Sequence, residues 1–224
     1  MRSTGNDIVA LALVNNQRTG QFRFYSKILS ASEQELYYQP EIQQLPFENY
    51  VWLLWSVKES AYKYLKRLDP TLIFSPTNII IQHIVIPGVS FDEPVAAQWE
   101  STGKDDGLYH GKVVCGLRTL YFRAKINEAW IASVVNEDEC FDDVSWGVKS
   151  INNAGYKYQS LEARLALINK LSELLPGDLR IEKSPVGYPV IVNNGEETGV
   201  PASLAHDGYF VAYSFVLSSD IVLA

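Results

Sequence analysis

The sequence predicts an α+β fold made of two similar halves, each a small antiparallel sheet with a long packed helix. Three observations carry that prediction. Runs of β-branched residues and two long amphipathic segments occur in blocks rather than in strict alternation, as expected for antiparallel sheets with helices segregated to one side. Residues 121–135 (YFRAKINEAWIASVV) and 202–216 (ASLAHDGYFVAYSFV) read as two related hairpins, pointing to an internal duplication. The chain has 224 residues and is 47% hydrophobic, enough to fill a sizeable core and too apolar for a disordered chain.

Residues 7–14, an apolar run from Asp7 to Val14, predict a buried strand. A basic and aromatic stretch follows from Arg18 to Lys27, holding Phe22, Phe24 and Tyr25. Ser30 with Glu33 three residues on is a capping-box signature for a helix to about Tyr38, ended by Pro40. Residues 47–67 form the strongest helical segment, with Val51, Leu54, Trp55, Ala61, Tyr62 and Leu65 mostly at three- and four-residue spacings and no Gly or Pro between them. From 78 to 135 the pattern is strand-rich, with turns expected at Asp105-Asp106-Gly107 and Asn127-Glu128. The acidic run 137–143 marks the junction, giving halves of 1–137 and 138–224. A second helix is expected from Gln159 to Leu175, capped by Ser160, with Leu161, Leu165, Ile168, Leu171 and Leu175 as its apolar stripe. Strands at 179–183, 189–192, 201–206 and 209–217 close the chain.

Composition narrows the function classes. A formal net charge of −7 argues against a general nucleic-acid binder. The charge is uneven: residues 1–67 carry eight Lys/Arg against six Asp/Glu, a balance of +2, and the remainder −9. Two cysteines, Cys115 and Cys140, make no disulfide framework, and with only His83, His110 and His206 a zinc site is not expected. No apolar run approaches the ~20 residues of a membrane-spanning helix. An acid stands where a signal peptide would carry its apolar stretch, so the expected compartment is the cytoplasm.

Three features could carry chemistry. Asp7 opens a strand, where an aspartate ordinarily makes turn hydrogen bonds and can alternatively ligate a metal. Glu59 and Lys63 are four apart in helix 47–67; that spacing gives either a surface ion pair or a carboxylate for a hard cation with an ammonium one turn on to grip a phosphate. His206 ends an apolar strand before a tight turn, as a plain surface residue or a phosphate donor.

Taken together and in this order, these residues resemble the 4′-phosphopantetheinyl transferase superfamily, in particular holo-acyl-carrier-protein synthases. Gly5-Asn6-Asp7-Ile8-Val9 is similar to that family's first motif, Trp55 to Lys63 to its W/F-x-x-K-E-A/S-x-x-K signature, and Gly187-Tyr188-Pro189 and Ser203-Leu204-Ala205-His206 to its closing Gly-x-Pro and Ser-x-Ser-His motifs. The resemblance covers about 1–67 and 180–217. Chain length is that of the long, pseudo-dimeric type, which implies a monomer with its active site in the cleft between the halves.

The resemblance implies transfer of phosphopantetheine from coenzyme A to a serine of an acidic acyl or peptidyl carrier protein. Asp7 and Glu59 would hold Mg²⁺, or Mn²⁺, with Glu59 also the base and Lys63 stabilising the leaving phosphate. Lys58, Lys63, Lys183, Ser203 and His206 would bind coenzyme A, and Arg18, Arg23 and Lys27 would dock the carrier. No nucleic acid or membrane partner is implied. Val9, Ala205 and Tyr188 depart from the family pattern: Val9 removes a metal ligand, Ala205 a hydroxyl donor and Tyr188 a basic residue. The competing expectation is therefore a weak or inactive transferase-like protein that binds coenzyme A or a carrier.

Overall fold

Antiparallel pairing builds every sheet of the computed structural model, which describes residues 3–88, 96–102 and 107–217. The chain runs through β1 (Gly5–Ala10), three short helices α1 (Asn16–Thr19), α2 (Phe22–Tyr25) and α3 (Ala31–Leu36), and the long α4 (Phe47–Leu68). Strands β2 (Ile79–Val85), β3 (Gln98–Thr102), β4 (Tyr109–Cys115), β5 (Arg118–Ile126), β6 (Trp130–Asn136) and β7 (Val144–Ser150) follow. Helix α5 (Tyr156–Ser172) then leads into β8 (Leu179–Lys183), β9 (Pro189–Asn193), β10 (Glu196–Glu197), β11 (Ala202–Asp207) and β12 (Phe210–Val216). The three sheets have strand orders β1-β6-β5-β4-β2, β11-β12-β7-β3 and β10-β9-β8.

Strand alternation sorts the apolar residues into three layers between four tiers of secondary structure. Val9, Ile81, Val113, Phe122, Ile131 and Val135 face α4, which buries Val51, Leu54, Val57, Ala61 and Leu65 against them. On the other face of that sheet, Ile8, Trp130, Ala132 and Val134 meet Trp146, Val148, Ala205 and Ala212 of the four-stranded sheet. Beyond it, Val211, Tyr213 and Phe215 pack on Ala163, Leu167 and Leu171 of α5. The order is helix, sheet, sheet, helix.

Gly5 sets how closely α4 crosses β1. A Cβ there would lie 2.0 Å from the backbone oxygen of Ser60, so any side chain would push the helix away. Small polar residues continue this contact: the hydroxyls of Ser56 and Ser60 each lie 2.8 Å from that of Ser133 on β6.

The two larger sheets repeat one pattern. β1 pairs with β6, which is in hairpin with β5; β7 pairs with β12, which is in hairpin with β11. The hairpins predicted at 121–135 and 202–216 occupy these corresponding places. β3 departs from the sequence order: it precedes residue 137 yet pairs with β7, at the edge of the second sheet.

Several local expectations are corrected. The Ser30–Glu33 capping box is present, but its helix stops at Leu36 and continues only as turns. Helix α5 begins at Tyr156 with Gly155 as N-cap, so Ser160 lies inside it and accepts from Arg164 instead. Its buried face is Gln159, Ala163, Ala166, Leu167 and Leu171, with Leu161 and Leu165 exposed, because small residues allow a closer sheet contact than the leucines would. The turn at 127–128 is formed by Asn127, whose Oδ1 accepts from the amides of Ala129 and Trp130. In the turn predicted at 105–107, Asp105 and Asp106 lie outside the described residues.

Candidate active site

One face of α4 organises the site. Trp52, Trp55, Glu59, Tyr62, Lys63 and Lys66 recur at three- and four-residue spacings, so they share one side of the helix. Because Gly5 admits the close crossing, this face passes Asp7 on β1. Lys63 Nζ donates to Asp7 Oδ1 at 3.0 Å and to the backbone oxygen of Asn6 at 2.8 Å.

Both carboxyls are held away from their ordinary state. Burial raises the Asp7 pKa, with the Lys63 ammonium pulling it back. Glu59 is pushed up to about 6, first by burial and then by the charge of Asp7. Two partly buried carboxyls of raised proton affinity, one of them raised by the other's charge, favour a cation beside them. Among the described residues no group of three His, Cys, Asp or Glu could hold a metal, so a hard cation here would draw its remaining ligands from substrate oxygens or water. Val9 adds no ligand, being buried against α4.

The second half meets this site along the edge of β1. The Asn6 amide donates to Ser203 Oγ at 3.2 Å, the Ala10 amide donates to Asp207 Oδ2 at 2.8 Å, and the hydroxyls of Thr4 and Ser214 are 3.0 Å apart. Ser203 and Asp207 thereby supply acceptors to two backbone amides on the edge of β1. His206, on the opposite face of β11 from Ser203, lies edge-on to Tyr156 at 5.4 Å. Burial, then the Lys63 charge, lowers its pKa, and the charge of Asp7 raises it. The charges of Lys63, Asp207 and Asp7 therefore all act on His206.

Beyond Lys63 a cleft of about 310 Å³ lies between the end of α4 and residues 186–204, lined by Lys63, Lys66, Arg67, Ser203 and the segment Gly187-Tyr188-Pro189. Arg67 was not singled out in the sequence. Its guanidinium sits 4.5 Å from the centre of the Tyr188 ring, and Nη2 donates to the backbone oxygens of Ala202 (2.6 Å) and Pro189 (3.2 Å). Arg67 thus puts a cation where Tyr188 replaces the family's basic residue. Its position four residues after Lys63 was the available signal.

At the other end of the face, Arg18, Arg23 and Lys27 line one groove of about 690 Å³, floored by Phe24, Trp52, Trp55 and Phe74. The cations and Phe24 stand out in the sequence as one basic and aromatic stretch; Trp52, Trp55 and Phe74, which complete the floor, come from α4 and the segment after it.

Three expectations need separate placement. Lys58 cannot meet a ligand: its ammonium is fully buried, donating to Glu33 Oε2 at 2.6 Å and to the backbone oxygens of Ile28 and Pro76. Glu33 in turn accepts from the amides of Ser30 and Ile81, so Lys58 ties α3, α4 and β2 together. Lys183 is exposed at the end of β8, beside Gly187, and is not among the residues lining the cleft. Ala205 points into the apolar layer between the sheets, so a serine there would have no ligand to donate to.

Compared with known families, residues 3–116 match the family model of the 4′-phosphopantetheinyl transferase superfamily. No curated protein and no solved structure matches the chain.

Proposed function

The chain belongs to the 4′-phosphopantetheinyl transferase superfamily, and from that premise we propose that it transfers the phosphopantetheine group of coenzyme A to a serine hydroxyl of an acidic carrier protein, with Mg²⁺ as cofactor. The observation that carries this reading is the grouping of Asp7 and Glu59 about Lys63, which itself lines a cleft bearing Lys66 and Arg67.

The order of sites along α4 supports a path for the reaction. Lys63, Lys66 and Arg67, with Ser203, line the cleft and suit the nucleotide and its phosphates, while His206, outside that lining and beside Tyr156, would reach the nucleotide only at the cleft's edge. Mg²⁺ bound by Asp7 and Glu59 would neutralise charge on the pyrophosphate. Lys63 then turns its ammonium from Asp7 to the phosphate that leaves. Glu59, with a pKa of about 6, is ionised at neutral pH and basic enough to take the serine proton. The serine oxygen forms a bond to the β-phosphorus as the bond to the bridging oxygen breaks, and adenosine 3′,5′-bisphosphate departs with that oxygen. In-line attack requires the serine to approach from the side opposite the nucleotide. That is the side of the groove bearing Arg18, Arg23 and Lys27, whose charge complements an acidic carrier.

The weak-or-inactive alternative loses two of its supports. Ala205 faces the core, and Arg67 supplies charge at Tyr188. Calorimetric titration with coenzyme A, with and without Mg²⁺, tests the reading. Mg²⁺-dependent binding that weakens at least tenfold in Asp7→Ala and His206→Ala supports it. A Glu59→Gln protein that keeps its fold but still transfers the group to a carrier overturns the assignment of Glu59 as base.

A further inference from the structure

A second polar site lies on the opposite face of the first sheet from α4, clear of the α4 cleft. In the register of β2, β4 and β5, His83 stands beside Lys112 and Lys112 beside Tyr121, while His110 stands beside Arg123 in the neighbouring row. Directly paired residues of antiparallel strands project to one face, so the five side chains share a surface. They line a cleft of about 340 Å³. Two of the chain's three histidines are here, in a protein whose net charge is −7.

Arg123 is the unusual member. It is only 8% exposed, its guanidinium lies 5.0 Å from the centre of the Phe141 ring, and Nη2 donates to the backbone oxygen of Glu139 at 3.0 Å. Its Nε is buried with no hydrogen-bond partner. A buried guanidinium donor without an acceptor is costly, and the proposed catalytic machinery makes no use of it. Around it stand the Lys112 ammonium, two imidazoles and the Tyr121 ring, which also carries Lys112 at 5.8 Å from its centre. Among the described residues Glu139 is the one acid lining the cleft, against two permanent cations.

We propose that this cleft is a binding site for a small phosphate-bearing anion, inorganic phosphate or a low-molecular-weight phosphomonoester, held by Arg123 and Lys112 with His83 and His110 as further donors. A tetrahedral oxyanion suits donors carried by three strands around one cleft, and the volume exceeds a bare phosphate, leaving room for a small ester group. The site stands independently of the transferase reading, since none of its residues touches the α4 cleft.

Three histidines make the test direct, because each imidazole C2 proton gives one NMR signal, assigned by single His→Gln variants. Inorganic phosphate, and in a parallel arm glycerol phosphate, is titrated at fixed pH and ionic strength against a chloride control. The expected result is a saturable shift of the His83 and His110 signals that persists in Lys63→Ala, where the α4 cleft is weakened. Lys112→Ala, a substitution outside the core, should weaken it at least tenfold, and the two arms distinguish free phosphate from an ester as the better ligand. Movement of the His206 signal alone, a drift without saturation, or an equal response to acetate would each overturn the proposal.

Discussion

The guanidinium of Arg67 lies 4.5 Å from the centre of the Tyr188 ring, joining the last turn of α4 to the Gly-Tyr-Pro segment of the second half. The same Arg67 Nη2 holds two backbone oxygens of that half, so one residue both positions the cleft wall and charges it. Arg67→Ala is expected to weaken coenzyme A binding more than tenfold by calorimetry. Arg67→Lys should recover less than half of that loss in free energy, since an ammonium cannot keep two carbonyls and a ring face at once.

Glu59 links stability to pH in a direction opposite to an ordinary paired carboxylate. Its pKa is raised from 4.5 to about 6 in the folded chain, so the folded state binds the proton more tightly than the unfolded one. The resulting contribution is fully present below pH 4.5 and is lost as pH rises through 6. Glu59→Gln should therefore stabilise the metal-free protein at pH 7.5 by about 1 kcal/mol after allowance for solvent screening. Thermal unfolding would show this as a rise of roughly 2–4 °C in Tm. Adding Mg²⁺ should raise the Tm of the wild type and leave that of the variant nearly unchanged.

Lys58 belongs to the fold, whatever the resemblance implied for it. Removing one partner of a fully buried pair leaves the other charge uncompensated, at about 3–5 kcal/mol. Lys58→Ala should lower the urea midpoint by a corresponding amount. The fraction that remains folded should bind coenzyme A within twofold of wild type.

Carrier recognition should divide between rate and grip. Arg23→Glu, on the rim of the aromatic groove, is expected to raise the KM for an acidic carrier at least tenfold and flatten its salt dependence, with kcat nearly unchanged. Trp55→Ala removes part of the floor and should raise the same KM without altering the salt dependence.

What could be seen in the sequence was what depends on short spacings. Ser30 and Glu33 make a capping box by local geometry, and Trp55 to Lys63 declares its helix and its shared face by period alone. The union of Asp7 with Glu59 and Lys63 was reachable only through the resemblance. The fate of Lys58 was not reachable, because Glu33 is 25 residues distant and helical period says nothing of what covers each face. Arg67 and Tyr188 are likewise joined only by the meeting of the halves. The exposed Leu161 and Leu165 show a different limit: of the expected stripe Ile168, Leu171 and Leu175 do pack in the core, but at its first two positions the closer fit of Ala163 and Ala166 turns the leucines outward.

The placement of β3 makes the two halves an interlocked pair rather than beads on a string. Residues 98–102 cross from the first half to finish the second sheet against β7. A protein cut at residue 137 would strip β7 of that neighbour and bare a row of backbone donors and acceptors, the kind of edge that recruits strands from other chains. Separately produced fragments 1–137 and 138–224 should therefore aggregate singly and regain solubility on co-expression, because a strand carried by the first completes the sheet of the second.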